Sequence, residues 1–209
     1  MHNIIVTGIG TGVGKTVVSA VLTTMFNGDY WKPIECGEKD SDTQIMRQLL
    51  DTTQCFVHPP TFSLKASLSP HHAARIENIV IDPERIIIPS SKRTLVIETA
   101  GGIFVPLSQG VLNLDLFKPW KARWVIVSRH YLGSINHTLL TVEVLKNRKI
   151  PLLGLIFNGE PNPDTEEVIL QLTQLPLIGR LLPEQTITPN IIQQYSKQWV
   201  PRCLQILPS

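Results

Sequence analysis

The chain has 209 residues, enough for one domain with a substantial core, and its 43% apolar and 17% charged composition is globular, without low-complexity tracts or charge blocks. A net charge of +2 gives no reason to expect nucleic acid or an anionic membrane as partner, and three widely spaced cysteines, Cys36, Cys55 and Cys203, indicate neither a disulfide framework nor a zinc site. No apolar run approaches a membrane span and no basic leader precedes the first strand, so the expectation is a soluble cytoplasmic protein with residues 1–209 as a single domain.

In chain order, the first apolar run, Ile4-Ile5-Val6, reads as a buried strand. It leads into T-G-I-G-T-G-V-G-K-T, residues 7–16, and then a helical pattern over Thr16–Met25. The segment Y-W-K-P-I-E-C-G, residues 30–37, is followed by Ser41-Asp42-Thr43, where a helix start is expected. Ser69-Pro70 opens another helix that carries His71 and His72, which lack metal-ligand spacing with each other and with His137. Thr94–Ile97 is the next strand and places Glu98 at its end, before Ala100-Gly101-Gly102. Trp124–Val127 follows, then a helix from Gly133-Ser134 through Ile135, Leu139, Val142 and Leu145 that ends before Pro151. Leu152–Phe157 reads as a strand, and Thr165–Leu175 as a helix. None of these strands alternates apolar with polar residues, which points to a parallel sheet covered on both faces and hence to α/β architecture. There is no internal repeat and no linker long enough to divide the chain.

The loop between the first strand and helix decides the ligand class. A dinucleotide fingerprint needs G-x-G-x-x-G, but counting from Gly8 the last position is Val13 and counting from Gly10 it is Lys15. Gly14-Lys15-Thr16 instead supplies the end of a phosphate-binding loop. The glycine lets backbone amides approach phosphate, the lysine reaches the outer phosphate oxygens, and the threonine offers a hydroxyl to Mg²⁺. The helix start adds a favourable dipole. A nucleoside triphosphate with Mg²⁺ is therefore expected, on a P-loop NTPase-like three-layer fold with a mostly parallel sheet between helices. One departure stands out: G-x-x-x-x-G-K-T would place glycine at position 9, where this chain has Ile9 between Gly8 and Gly10. Switches, kinases, ligases and ATPases share such loops, so the loop alone leaves the reaction open.

Other segments narrow the choice. K-P-x-x-x-G at 32–37, E-x-A-G-G at 98–102, G-x-I-N-H-T-L-L-T at 133–141, G-L-I-F-N at 154–158 and S-P-H-H-A-A-R-I-E at 69–77 follow the glycine loop in this order. Together they resemble the dethiobiotin synthetase family from Val6 to about Phe157, with a looser match over the last fifty or so residues. The family's own glycine loop has the longer spacing found here. The resemblance implies an ATP- and Mg²⁺-dependent cyclo-ligase forming C–N bonds. Its substrates are 7,8-diaminononanoate, CO₂ or bicarbonate, and ATP; its products are dethiobiotin, ADP and phosphate. A homodimer is implied as well.

Carried onto this chain, the family pattern gives Thr11, Lys15 and Lys32 catalytic roles and makes Thr16, Asp42 and Glu98 the metal ligands. Nucleotide contacts fall on Gly12, Val13, Gly14, Lys15, Thr16, Val17, Asp42, Glu98, Thr99, Ala100, Gly101, Asn158, Gly159, Leu182, Pro183 and Glu184. Substrate contacts fall on Thr11, Lys32, Cys36, Gly133, Ser134 and Asn136, the last three receiving the substrate tail from a neighbouring subunit through free backbone amides at a helix start. Chemistry joining a carbamate to a triphosphate needs positive charge to lower the repulsion, which suits Lys15 and Lys32. By its own context Asp42 reads as the cap of the helix beginning there, and only the resemblance makes it a ligand. The chain departs from the family at Gly10, where an aspartate is usual, at Thr99, where a glycine is usual, and at Cys36, where a hydroxyl residue is more frequent.

Two rival readings differ at the same residues. ParA- or MinD-like dimerising ATPases carry a second lysine early in the loop, where this chain has Gly-Ile-Gly-Thr-Gly. A non-catalytic nucleotide-binding module would bind ATP without substrate-dependent turnover.

Overall fold

The computed structural model describes residues 3–38 and 41–206. The first strand, β1 (Asn3–Gly8), runs into α1 (Lys15–Met25), β2 (Asp29–Trp31), β3 (Ile34–Cys36), α2 (Asp42–Leu49), β4 (Phe62–Leu64) and α3 (Pro70–Ile76). Then come β5 (Leu95–Gly102), a hairpin of β6 (Pro106–Ser108) and β7 (Val111–Leu112), α4 (Asn113–Phe117), β8 (Ala122–Arg129) and α5 (Ser134–Asn147). The chain closes with β9 (Leu152–Asn158), α6 (Pro163–Thr173), β10 (Leu177–Leu181) and α7 (Pro189–Ile206).

Among the described residues, six strands form one sheet in the order β10-β9-β8-β1-β5-β2, and every pairing in it is parallel. The expected α/β architecture is therefore present. Successive residues of a strand face opposite sides, and β1 shows the result. Ile4 and Val6 join the core formed with α1, α2 and α7, while Ile5 joins the core under α3, α4, α5 and α6. Burial on both faces explains why the central strands are continuously apolar. No described helix is long and apolar enough to cross a membrane.

β1 lies at the point where the strand order reverses, with β5 on one side and β8 on the other. A crevice opens at such a switch point beyond the carboxyl ends of the strands, and the glycine loop leaves β1 there. The chain's direction is thus enough to place residues 9–14 at the mouth of the crevice.

Several boundaries differ from the sequence reading. The strand expected to stop at Ile97 continues to Gly102, so Glu98 lies within β5, opposite Val6 of β1, and the pairing becomes irregular only between Val6 and Gly8. The helix expected over Thr165–Leu175 starts at Pro163, because the Asn162 side chain accepts a hydrogen bond from the Thr165 amide and Pro163 needs no amide donor in the first turn. β10 and α7 were not expected. In α7, Ile192, Tyr195, Trp199 and Cys203 are buried against the α1 side of the sheet.

Candidate active site

The glycine loop owes its shape to two local facts. Gly14, immediately before α1, has φ +92°, a left-handed conformation that suits glycine, and the Asn158 carboxamide lies directly against it. By contrast, nothing lies within 4 Å of where a Gly10 side chain would begin, so sterics do not demand glycine at that departure from the family. The Lys15 ammonium donates to the Gly10 carbonyl at 3.2 Å, folding back over the arch. Burial pushes the Lys15 pKa below the ordinary lysine value; Glu98 opposes this and Lys32 reinforces it.

Four side chains from α1, α2, β5 and the link between β2 and β3 meet beside the loop. The Thr16 hydroxyl at the start of α1 lies 2.5 Å from Asp42 Oδ1 and 3.1 Å from Glu98 Oε1. The Lys32 ammonium donates to Glu98 Oε1 at 3.3 Å and to Asp42 Oδ2, bridging the two acids. Burial works against the Lys32 charge, but Glu98 and Asp42 together outweigh it and hold the ammonium pKa above the ordinary lysine value. Lys32 therefore remains a fixed cation near neutral pH.

Asp42 is not the cap of α2. Ser41 takes that position, its hydroxyl accepting from the Gln44 amide at 3.2 Å, and Asp42 occupies the first helical position with its carboxylate free to face Thr16. A buried residue that sequence reasoning missed sets this geometry. Glu35 accepts the Ser41 hydroxyl at 3.0 Å and the Thr43 amide at 2.8 Å, fixing the chain on both sides of Asp42. A charged residue inside the otherwise apolar strand β3 was the available signal.

Lys15, Thr16, Lys32, Asp42 and Glu98 line a cavity of about 630 Å³ that also includes Thr11, Gly12, Gly14, Val17, Cys36, Ala100 and Gly101. Not every expected site residue reaches it. The Thr99 hydroxyl turns into the sheet, 3.2 Å from Thr7 Oγ1 and 3.1 Å from the Gly101 carbonyl, so its side chain serves β1 and β5 rather than the cavity. Val13 is buried against Gly8. Asn158 spends its amide on the Val13 carbonyl at 2.8 Å, bracing the loop, with its carbonyl oxygen left over. Gly159 follows it and donates to the Leu181 carbonyl at 3.0 Å.

Leu182, Pro183 and Glu184 form an exposed segment after β10. Tyr195 of α7 fastens this segment: its hydroxyl receives the Leu182 amide at 3.1 Å and donates to Glu184 Oε1 at 2.6 Å. Gly133, Ser134 and Asn136 stand apart from the cavity, at the start of α5. The free amides expected there are reduced, because the Ser134 amide donates to the Tyr131 carbonyl at 2.9 Å within the turn.

The donor set suits a hard cation. No group of three or more His, Cys, Asp or Glu side chains gathers as a metal cage among the described residues. Two carboxylates and one hydroxyl converging beside a phosphate loop instead match an ion that keeps water and phosphate ligands. Cys36 offers no hard ligand. Burial drives its thiol pKa up to about 11 despite the opposing charge of Lys32, so its thiolate is scarce near neutrality. Iodoacetamide labelling of Cys36, followed by peptide mass spectrometry, is expected to be slow at pH 8 and to rise roughly tenfold per pH unit towards pH 11. Rapid labelling at pH 7 would contradict the burial argument.

The chain matches the AAA domain family AAA_26 over residues 2–190. It is 44% identical to the ATP-dependent dethiobiotin synthetase BioD of Chlamydia pneumoniae, covering 95% of this chain and 90% of that protein. The chain belongs to the dethiobiotin synthetase family. A synthetase of the same name from Cytophaga hutchinsonii is 40% identical over 94% of this chain and 96% of its own length. Among solved structures, the MinC:MinD cell division complex of Aquifex aeolicus aligns with a TM-score of 0.61 at 14% identity, covering 100% of this chain and 98% of that chain. A ParA family ATPase from Chlorobium tepidum TLS gives 0.55, also at 14%, over 98% and 96%. Likeness at that identity describes the shared fold. In this dethiobiotin synthetase family member, residues 8–12 of the loop contain no lysine.

Proposed function

We propose that this chain is the cyclo-ligase that converts 7,8-diaminononanoate, CO₂ and ATP into dethiobiotin, ADP and phosphate, with Mg²⁺ as the cation. One observation carries this reading beyond family membership: Lys32, Asp42, Glu98 and Thr16 converge at one end of the cavity beside Lys15, where a triphosphate's outer phosphate would meet a second anionic reactant.

In the proposed reaction, one amine adds to CO₂ and loses a proton to give a carbamate. A carbamate oxygen attacks the γ-phosphorus and ADP leaves. The second amine then attacks the carbonyl of the mixed anhydride, closes the ureido ring, expels phosphate and releases a proton. Lys15 and Lys32 offset the repulsion between the carbamate and the triphosphate, and they do so at a buried site where charge is weakly screened. Lys32 holds its proton and orients oxygens without exchanging it. Thr16, Asp42 and Glu98 would hold Mg²⁺, which supplies charge neutralisation on the phosphates when bound. Thr11 sits at the cavity mouth for substrate contact, and Cys36 offers a weak thiol donor where relatives more often have a hydroxyl. The nucleotide's base and ribose fall to Asn158, Gly159 and the Leu182–Glu184 segment.

A homodimer is part of the proposal. Gly133, Ser134 and Asn136 lie outside the cavity of their own chain, and the fully exposed Leu132 with the exposed Leu140 and Leu172 supplies apolar surface near them. Such a face suits a second copy that delivers the start of α5 to the substrate tail. The whole reading is tested by phosphate release from ATP. Release is expected to depend jointly on diaminononanoate and bicarbonate. Release that ignores both would favour a switch ATPase, and binding without release would favour a non-catalytic module.

A further inference from the structure

Tyr30 is fully buried, and the one hydrogen bond its hydroxyl makes among the described residues goes to Glu98 Oε2, at 3.0 Å. The other oxygen of the same carboxylate, Oε1, accepts from the Lys32 ammonium at 3.3 Å and lies 3.1 Å from the Thr16 hydroxyl. The two ends of Glu98 are thereby given different work: Oε2 is tied to the core, and Oε1 is turned to the cavity.

We infer that Tyr30 is a positioning residue that holds Glu98 in the orientation needed for cation binding, a role that rests on the proposed metal site. The geometry explains why a phenol is needed. Glu98 is itself 1% exposed, and among the described residues the Tyr30 hydroxyl is the donor on Oε2. Without that donor the carboxylate is free to rotate about its last torsion, which is soft. It would then bring both oxygens towards Lys32 and bind the ammonium more closely, at the expense of a metal ion. The aromatic ring fills the core, and the hydroxyl acts on the site, so the two contributions separate in one substitution.

Tyr30→Phe keeps the ring and deletes the donor. With ADP present, Mn²⁺ binding followed by electron paramagnetic resonance is expected to weaken about five- to twentyfold relative to the unaltered protein. Binding of ADP in the presence of chelator is expected to stay within twofold. In a Glu98→Gln background the same change is expected to add no further loss, because the residue that Tyr30 acts through has already lost its charge. Equal Mn²⁺ affinity in Tyr30→Phe overturns the inference. So does an equal loss of metal-free ADP binding, or a loss that persists beside Glu98→Gln, since either makes Tyr30 a general support of the core. Failure of the unaltered protein to bind Mn²⁺ with ADP would overturn the metal site itself.

Discussion

Lys32→Ala is expected to retain ADP binding while lowering turnover at least about tenfold, equivalent to roughly 1.4 kcal/mol of transition-state stabilisation. Phosphate-release kinetics together with ADP titration separate the two quantities. Lys32 touches both Asp42 and Glu98 but makes no hydrogen bond to the glycine loop. Under the proposed function, the loop's own groups, Lys15 and the amides around Gly14, therefore remain to hold the nucleotide. What disappears is a cation fixed between the phosphate end of the cavity and its substrate end, and that charge matters most when two anions are brought together. The substitution also leaves Glu98 buried without its positive partner, a change that costs on the order of 3–5 kcal/mol in stability for buried pairs. Assays are therefore best made well below the unfolding temperature. An unchanged turnover number would remove Lys32 from the mechanism.

The second large effect concerns stability. Trp199 is 1% exposed, packs at 5.8 Å from the Tyr195 ring and lies directly over Gly179 of β10. Trp199→Ala is expected to destabilise the protein by about 3–5 kcal/mol, the usual cost of truncating a large buried aromatic, with a fall in melting temperature of roughly 10 °C. It also loosens Tyr195, which holds Leu182 and Glu184, so ADP affinity should fall with it. Trp199→Phe is the control. The indole N–H is buried without a hydrogen-bond partner among the described residues, so losing it forfeits no bond seen there, and the smaller cavity should cost much less. Urea unfolding measures both variants. A Trp199→Ala cost below about 1 kcal/mol would mean that α7 is peripheral to the fold.

The sequence was most informative where a feature depends on neighbouring residues. Val6 to Met25 carries strand, loop and helix in one continuous stretch, and the spacing of Gly14, Lys15 and Thr16 is enough to place their functional groups. The four central strands were readable because burial on both faces removes polar residues from them. β10 was not, because Gly179 and Arg180 interrupt its five residues. β2 has three residues and begins with Asp29, while α7 contains Pro201 and a polar face. Long-range pairings were the least readable. Tyr30 and Glu98 are 68 positions apart, and nothing local marks the tyrosine as the partner of an acid. The cap of α2 shows a subtler limit. Ser41 and Asp42 are both good caps by type, and only the packing of Glu35 against Ser41 and Thr43 decides between them.

The bridge that Lys32 makes between Asp42 and Glu98 also changes the charge a cation would meet. In small metal-nucleated domains the ligands repel one another until the ion arrives, and folding waits for it. Here the chain brings its own positive charge to the acids, so part of their mutual repulsion is offset by Lys32. Under the proposed function, a magnesium ion entering this site meets acids whose charge the chain has already partly offset.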